Sequence, residues 1–192
     1  HVRSRRQRQM CIRDRADIGL KAGNEQIVTS AQAVLQLAAE EVPAGSKLLI
    51  IGADSFRDLA REMGFKVVSS ADDKPAAVLQ GFDRTVGWEQ LTEGALAIRQ
   101  GAKFFASNLD TSLPIERGLA VGNGSLVAAV QSATGVEPVS AGKPEPAMFT
   151  VAAKQIGAKK PLAVGDRLDT DIAGGNTAAM DLSLIHISEP TR

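Results

Sequence analysis

Three carboxylates, Asp166, Asp169 and Asp171, crowd into Gly165-Asp166-Arg167-Leu168-Asp169-Thr170-Asp171, directly after the apolar run Leu162-Ala163-Val164. Acids so close repel one another unless a cation or a helix terminus takes up their charge. A hard divalent cation such as magnesium takes carboxylate oxygens and keeps several waters, so one direct aspartate with a second nearby makes a partial cage. Alternatively, Asp169 is an N-cap and Asp171 a first-turn carboxylate favoured by the helix dipole with nothing bound. On this stretch alone both readings stand. A calcium loop does not fit, because it needs acids at alternate positions closed by a Glu further on.

The second stretch with chemistry is Ala141-Gly142-Lys143-Pro144-Glu145-Pro146. Pro144 disfavours the helical region for Lys143, and Pro146 suits the first turn of a following helix, so the lysine sits at a strand-to-helix corner. Taken alone it is a solvated loop lysine. Facing Asp166 across one crevice, it would hold a phosphate as a point charge while the carboxylate holds the metal, which is a phosphoryl site. Nucleotide-binding signatures are absent: no G-x-G-x-x-G follows a strand and no Gly-Lys-Ser/Thr loop occurs. Gly122-Asn123-Gly124 reads as a turn ahead of a helix rather than a phosphate cradle.

These residues need a scaffold that delivers side chains to one edge, and the hydrophobic pattern predicts one. Ser30 is the expected N-cap of a helix over residues 31–41, followed by a buried strand over 47–52. Asp54 is expected to cap a helix to Met63, stopped by Gly64 before a strand over 65–68. Strands follow over 76–82 and 103–106, separated by a helix over 88–100. Residues 107–124 read as a polar, Gly-rich loop containing Pro114, then come a helix over 125–134, an extended stretch over 138–141, a helix over 147–156 and the strand before Asp166. In an open α/β sheet the crevice beyond the strand ends takes the ligand, which is where Asp166 falls. Strands alternating with helices imply a parallel α/β sheet.

The chain has 192 residues, 44% of them hydrophobic and 23% charged, enough to bury a core in one or two domains. Its formal net charge is zero and no apolar run reaches membrane-spanning length, so neither a membrane nor an acidic polymer is implied as a partner. The single cysteine, Cys11, forms no internal disulfide and is compatible with a reducing compartment, the cytoplasm being the expectation. Residues 1–15 carry six arginines against one acid, an arm that could touch nucleic acid. Both ends nevertheless resemble translated sequencing-adapter DNA, at residues 10–15 and 183–192, so segments 1–15 and 182–192 are expected to be non-native. The body between them holds 15 basic and 20 acidic residues, a net charge of minus 5 that argues against nucleic-acid binding.

Gly142-Lys143-Pro144-Glu145-Pro146, followed by Val164-Gly165-Asp166-Arg167-Leu168-Asp169-Thr170-Asp171-Ile172, resembles the third and fourth motifs of the haloacid dehalogenase-like hydrolases. The NagD-like, 4-nitrophenylphosphatase and phosphoglycolate phosphatase-like branch is the most similar. Ile27-Val28-Thr29-Ser30-Ala31, Gly81-Phe82-Asp83, Ala106-Ser107-Asn108-Leu109-Asp110 and Gly124-Ser125-Leu126-Val127 resemble that branch in order, over about residues 16–181. The resemblance implies a Rossmann-like parallel sheet core, incomplete here, with an inserted α/β cap. Core pieces would cover 16–41 and 138–181, and the cap 42–137.

It implies, further, a magnesium-dependent phosphatase that works through an aspartyl-phosphate on small phosphate monoesters, with neither nucleic acid nor membrane as partner. Assembly of copies through the cap is left open. Lys143 would steady the phosphoryl group, Asp166 ligate the metal, and Asp171 orient Asp166 or a metal-bound water. Asp169 is variable in such motifs. Asn108 and Asp110 would belong to the cap's substrate-selecting loop, although both could simply make turn bonds to the backbone. The family's first motif, an aspartate nucleophile with an acid/base aspartate two residues on, is missing: no Asp-x-Asp precedes Ala71. The expectation is therefore a fragment, cut at both ends and inactive. The alternative is a non-catalytic protein that binds a phosphorylated ligand.

Overall fold

A strand with an unbroken apolar run belongs inside a sheet that is covered on both faces, and Lys47–Ile51 (β1) occupies such a position. In the computed structural model, which describes Gly19, Gly23 and residues 26–185, β1 lies between Lys66–Val68 (β2) and Ala77–Gln80 (β3). Lys103–Ala106 (β4) pairs with β3 and Val139–Ser140 (β7) with β4, so the sheet is all parallel in the order β2-β1-β3-β4-β7. Although β7 lies past the expected boundary at residue 137, its bonds to Phe105 and Ala106 carry this sheet up to the lysine corner.

Side chains alternate between two cores with the period of a strand. Leu48 and Ile50 join Leu79 and Phe105 on one face, packed by Val34 and Leu35 of Ser30–Glu41 (α1) and by Phe56 and Leu59 of Asp54–Glu62 (α2). Leu49 and Ile51 face the other way with Val78 and Phe104, against Ala97 and Ile98 of Trp88–Arg99 (α3) and Val127 and Val130 of Asn123–Thr134 (α4). The α/β class and the parallel sheet are as the pattern predicts.

Helix starts differ from expectation in an instructive way. Thr29, not Ser30, caps α1. Its Oγ1 accepts the Gln32 N–H at 3.3 Å, while Gln32 Oε1 accepts the Thr29 N–H at 2.9 Å. A cap at Ser30 would put Ala33 at the reciprocal position, where no side chain can answer. Asp54 is likewise the first residue of α2 rather than its cap, and it bonds Arg57 at 3.0 Å.

The expected loop over 107–124 contains a ribbon, Ser112–Ile115 (β5) paired antiparallel with Gly118–Val121 (β6) across Glu116-Arg117. Pro114 argues against a central strand, but a two-stranded ribbon leaves it on an edge, where its missing N–H breaks no ladder.

Ala147–Gln155 (α5) ties the large sheet to the last elements. Its Val151 joins the α1 side of the core, and its Phe149 ring lies against Gly174. Leu162–Gly165 (β8) pairs in parallel with Asp181–Leu184 (β9), and between them run a single π-helical turn, Leu168–Ile172, and the short helix Ala173–Thr177 (α6). Thus Leu182, Ser183 and Leu184, set aside from the fold on sequence, supply backbone to a strand; such pairing requires no side-chain period. The basic segment 1–15 lies outside the described residues. Among those described, no helix is long and apolar enough to cross a membrane.

Candidate active site

The corner after β7 and the turn after β8 meet. The Lys143 ammonium forms an ion pair with Asp171 Oδ1, and the other Asp171 oxygen accepts the Arg167 N–H at 3.3 Å. Asp171 is the more sheltered partner, its side chain 15% exposed against 41% for Lys143. Burial pushes the Asp171 carboxyl up, but the bond and charge of Lys143, with the backbone N–H groups of Arg167 and Asp166, outweigh it and hold the group below the usual aspartate range. Gly165 makes this approach feasible, since a Cβ there would stand 2.3 Å from Asp171 Cβ.

Asp166 is the first residue past β8 and is exposed. Asp169 does not cap the turn, contrary to one expectation: Arg167 holds the N-cap position. The Arg167 guanidinium instead grips the Asp169 carboxylate in two places, Nε to Oδ1 at 3.2 Å and Nη2 to Oδ2 at 2.7 Å. That bond lowers the Asp169 carboxyl and raises Arg167 from their ordinary values. The sequence alone assigns Arg167 no role. The structure gives it two, one through its backbone N–H on Asp171 and one through its side chain on Asp169. The available signal was its spacing from both acids.

Asn108 and Asp110 lie on the loop that leaves β4. Asn108 is half-buried, and its Oδ1 accepts the Asp110 N–H at 3.3 Å, the turn bond that the sequence allowed. Asp110 is exposed, and its charge acts on the Arg167 guanidinium. The loop also touches the lysine corner, where a Cβ on Gly142 would lie 2.7 Å from Asn108 Cα. Lys143, Asp171, Asp166 and the Asn108–Asp110 loop are therefore linked by direct contacts.

For a hard divalent cation, this donor set offers Asp166 directly. Asp171, with both oxygens engaged, could act through a water. Among the described residues no group of three His, Cys, Asp or Glu side chains forms a metal cage. Magnesium does not require one, since it is held by one or two carboxylates and retains water. The arrangement supplies one carboxylate for such a cation and one ammonium for an anion beside it.

Comparison with known proteins accords with that chemistry. A family model described as HAD-hydrolase-like matches residues 140–186, and one described as haloacid dehalogenase-like hydrolase matches residues 3–66. The D-glycerol 3-phosphate phosphatase of Mycobacterium tuberculosis is 46% identical over 164 residues, 85% of this chain and 46% of that protein. The 5'-nucleotidase YutF of Bacillus subtilis is 37% identical over 169 residues, 87% of this chain and 64% of that protein. The chain thus spans about half to two thirds of the length of these relatives. Among solved structures, a double mutant of a thermostable NPPase from Geobacillus stearothermophilus superposes with a TM-score of 0.86 at 33% identity, covering 96% of this chain and 74% of that one. The glycerol phosphate phosphatase of Mycobacterium tuberculosis in complex with magnesium gives a TM-score of 0.85 at 43% identity, covering 91% and 53%.

Proposed function

Because the chain belongs to the haloacid dehalogenase-like hydrolases, in the NagD-like and 4-nitrophenylphosphatase branch, we propose that it carries the cap and the lysine and metal half of a magnesium-dependent phosphatase for small phosphate monoesters. The observation that carries this reading is the meeting of Lys143 and Asp171 at the end of β8, beside the exposed carboxylate of Asp166. Lys143 binds a phosphoryl oxygen through its ammonium and steadies the charge there. Asp166 holds the cation, and Asp171 keeps the lysine aimed at that edge. Magnesium held by Asp166 would supply Lewis-acid charge for the phosphoryl group. Asn108 and Asp110 face the organic part of the ester. The cap proposed over residues 42–137 takes in most of the stretch 67–139 that neither family-model match covers. A cytoplasmic location is part of the same reading.

The 192-residue chain itself binds without turning over. Covalent transfer requires an acceptor carboxylate, and the chain's sole Asp-x-Asp is Asp169-Thr170-Asp171, whose two acids are committed to Arg167 and Lys143. The same observation favours, as a second reading, a protein that binds phosphorylated ligands without catalysis.

Calorimetric titration with inorganic phosphate and magnesium tests the site. Lys143→Ala should weaken phosphate about tenfold, the worth of a charge-assisted bond, and Asp166→Asn should remove the magnesium dependence. Unchanged phosphate affinity in Lys143→Ala would overturn the assignment. Turnover of 4-nitrophenyl phosphate by the wild-type chain, abolished by Asp166→Asn, would overturn its inactivity.

A further inference from the structure

Gly122-Asn123-Gly124, an ordinary turn by sequence, has no part in the site described so far, yet Asn123 is only 2% exposed. It opens α4 one turn ahead of the buried Val127. Its Nδ2 donates to the Asn108 carbonyl oxygen at 2.8 Å, and its Oδ1 has no hydrogen-bond partner among the described residues. A half-satisfied buried amide is a poor device for stability alone. Nor does it cap the helix, because Gly122 holds that position. What it does is grip the loop that leaves β4.

The neighbouring groups grip the same loop. The Gly124 N–H donates to the Asp110 oxygen at 2.8 Å, the Gly122 N–H to the Thr111 oxygen at 2.9 Å, and Ser125 Oγ to the Thr111 oxygen at 2.8 Å. The contact leaves no slack. A Cβ on Gly122 would stand 2.2 Å from the Asp110 oxygen, and one on Gly124 2.1 Å from the Leu109 oxygen. Asn108 also meets Gly142, immediately before Lys143. The loop is held against the first turn of α4 and against the lysine corner.

We propose that Asn123 is a positioning residue which, through the Asn108 carbonyl, fixes the Asn108–Asp110 loop beside Lys143 and Asp166 as a preformed wall for the organic group of a phosphate monoester. The ligand side of this inference rests on the function proposed above; the clamp rests on the contacts alone. A loop ordered in advance binds without losing loop entropy at that moment. Releasing it weakens the grip on the organic group, while Lys143 still holds the phosphate.

The experiment uses the whole 192-residue chain and two variants. Asn123→Leu removes the donor within a side chain of similar branching. Gly124→Ala keeps Asn123 and drives a Cβ into the Leu109 carbonyl. Amide hydrogen exchange at Gly122 and Gly124 is followed, and affinities for inorganic phosphate and for 4-nitrophenyl phosphate are measured with magnesium present. Both variants should exchange faster at these amides and lose about tenfold more affinity for the ester than for phosphate. Unchanged exchange in both overturns the clamp, and equal loss for the two ligands overturns the wall for the organic group. If the wild-type chain binds neither ligand, the phosphate-site reading fails and the ligand side of this proposal with it. Unchanged exchange alongside normal wild-type phosphate binding overturns the clamp alone.

Discussion

Lys143 and Asp171 lie 28 residues apart in the chain and form an ion pair in the fold. The lysine corner is placed by β7 on the large sheet, the aspartate by the turn after β8, and α5 between them fixes the distance by laying Phe149 against Gly174. Under the proposed function, a phosphate would have to compete with Asp171 for the Lys143 ammonium.

That pairing has a titration signature. The Asp171 carboxyl is depressed, so its contribution to stability is complete above the unfolded value of about 3.9. That contribution is lost as pH falls through the lower folded value. In Lys143→Met the largest single influence that remains is burial, which raises the carboxyl. Carbon-detected NMR of the Asp171 carboxyl should therefore show its midpoint moving upward in the variant. An identical midpoint in both proteins would mean that Lys143 does not hold Asp171 in solution.

The start of α1 offers a second check, independent of the site. Thr29 and Gln32 exchange bonds across the first turn, and Ser30 takes no part. Thr29→Ala should lower stability by about 1 kcal/mol, and Ser30→Ala by under about 0.5 kcal/mol. Urea melts of the two variants give the comparison. The reverse order would place the cap where the sequence first suggests it.

Much of this architecture is legible in the chain because burial leaves a pattern. Leu48 to Ile51 must face two cores at once, and only an unbroken apolar run does so. Lys143 and Asp166 are legible for another reason, since a proline corner and a glycine at a strand end restrict where their side chains can go. The unread parts depend on partners distant in sequence or on reciprocity. Thr29 outranks Ser30 only because Gln32 answers it. Pro114 is tolerated only because β5 is an edge strand. Arg167 acts through the π-turn that brings its N–H to Asp171, and Asn123 through a carbonyl 15 residues away. None of these relations leaves a periodicity to find.

Gly165 is the position at which the turn itself can be tested. Its backbone is not in the left-handed region, so alanine is conformationally allowed, and any effect must come from collision. The added Cβ would stand 2.3 Å from Asp171 Cβ and 2.6 Å from its Cγ. These are not the free end of a flexible chain, because the Asp171 carboxylate is held by Lys143 and by the Arg167 N–H. The turn must open or the ion pair must break. Gly165→Ala should therefore destabilise the fold by about 1–3 kcal/mol, the usual range for overpacking. The Asp171 carboxyl should also move up toward the ordinary aspartate range as Lys143 is lost. Urea unfolding at constant m-value measures the first effect, and the Asp171 titration the second. A variant with wild-type stability and an unmoved carboxyl would show that the turn relaxes freely, and that Gly165 does not set the position of Asp171 against Lys143.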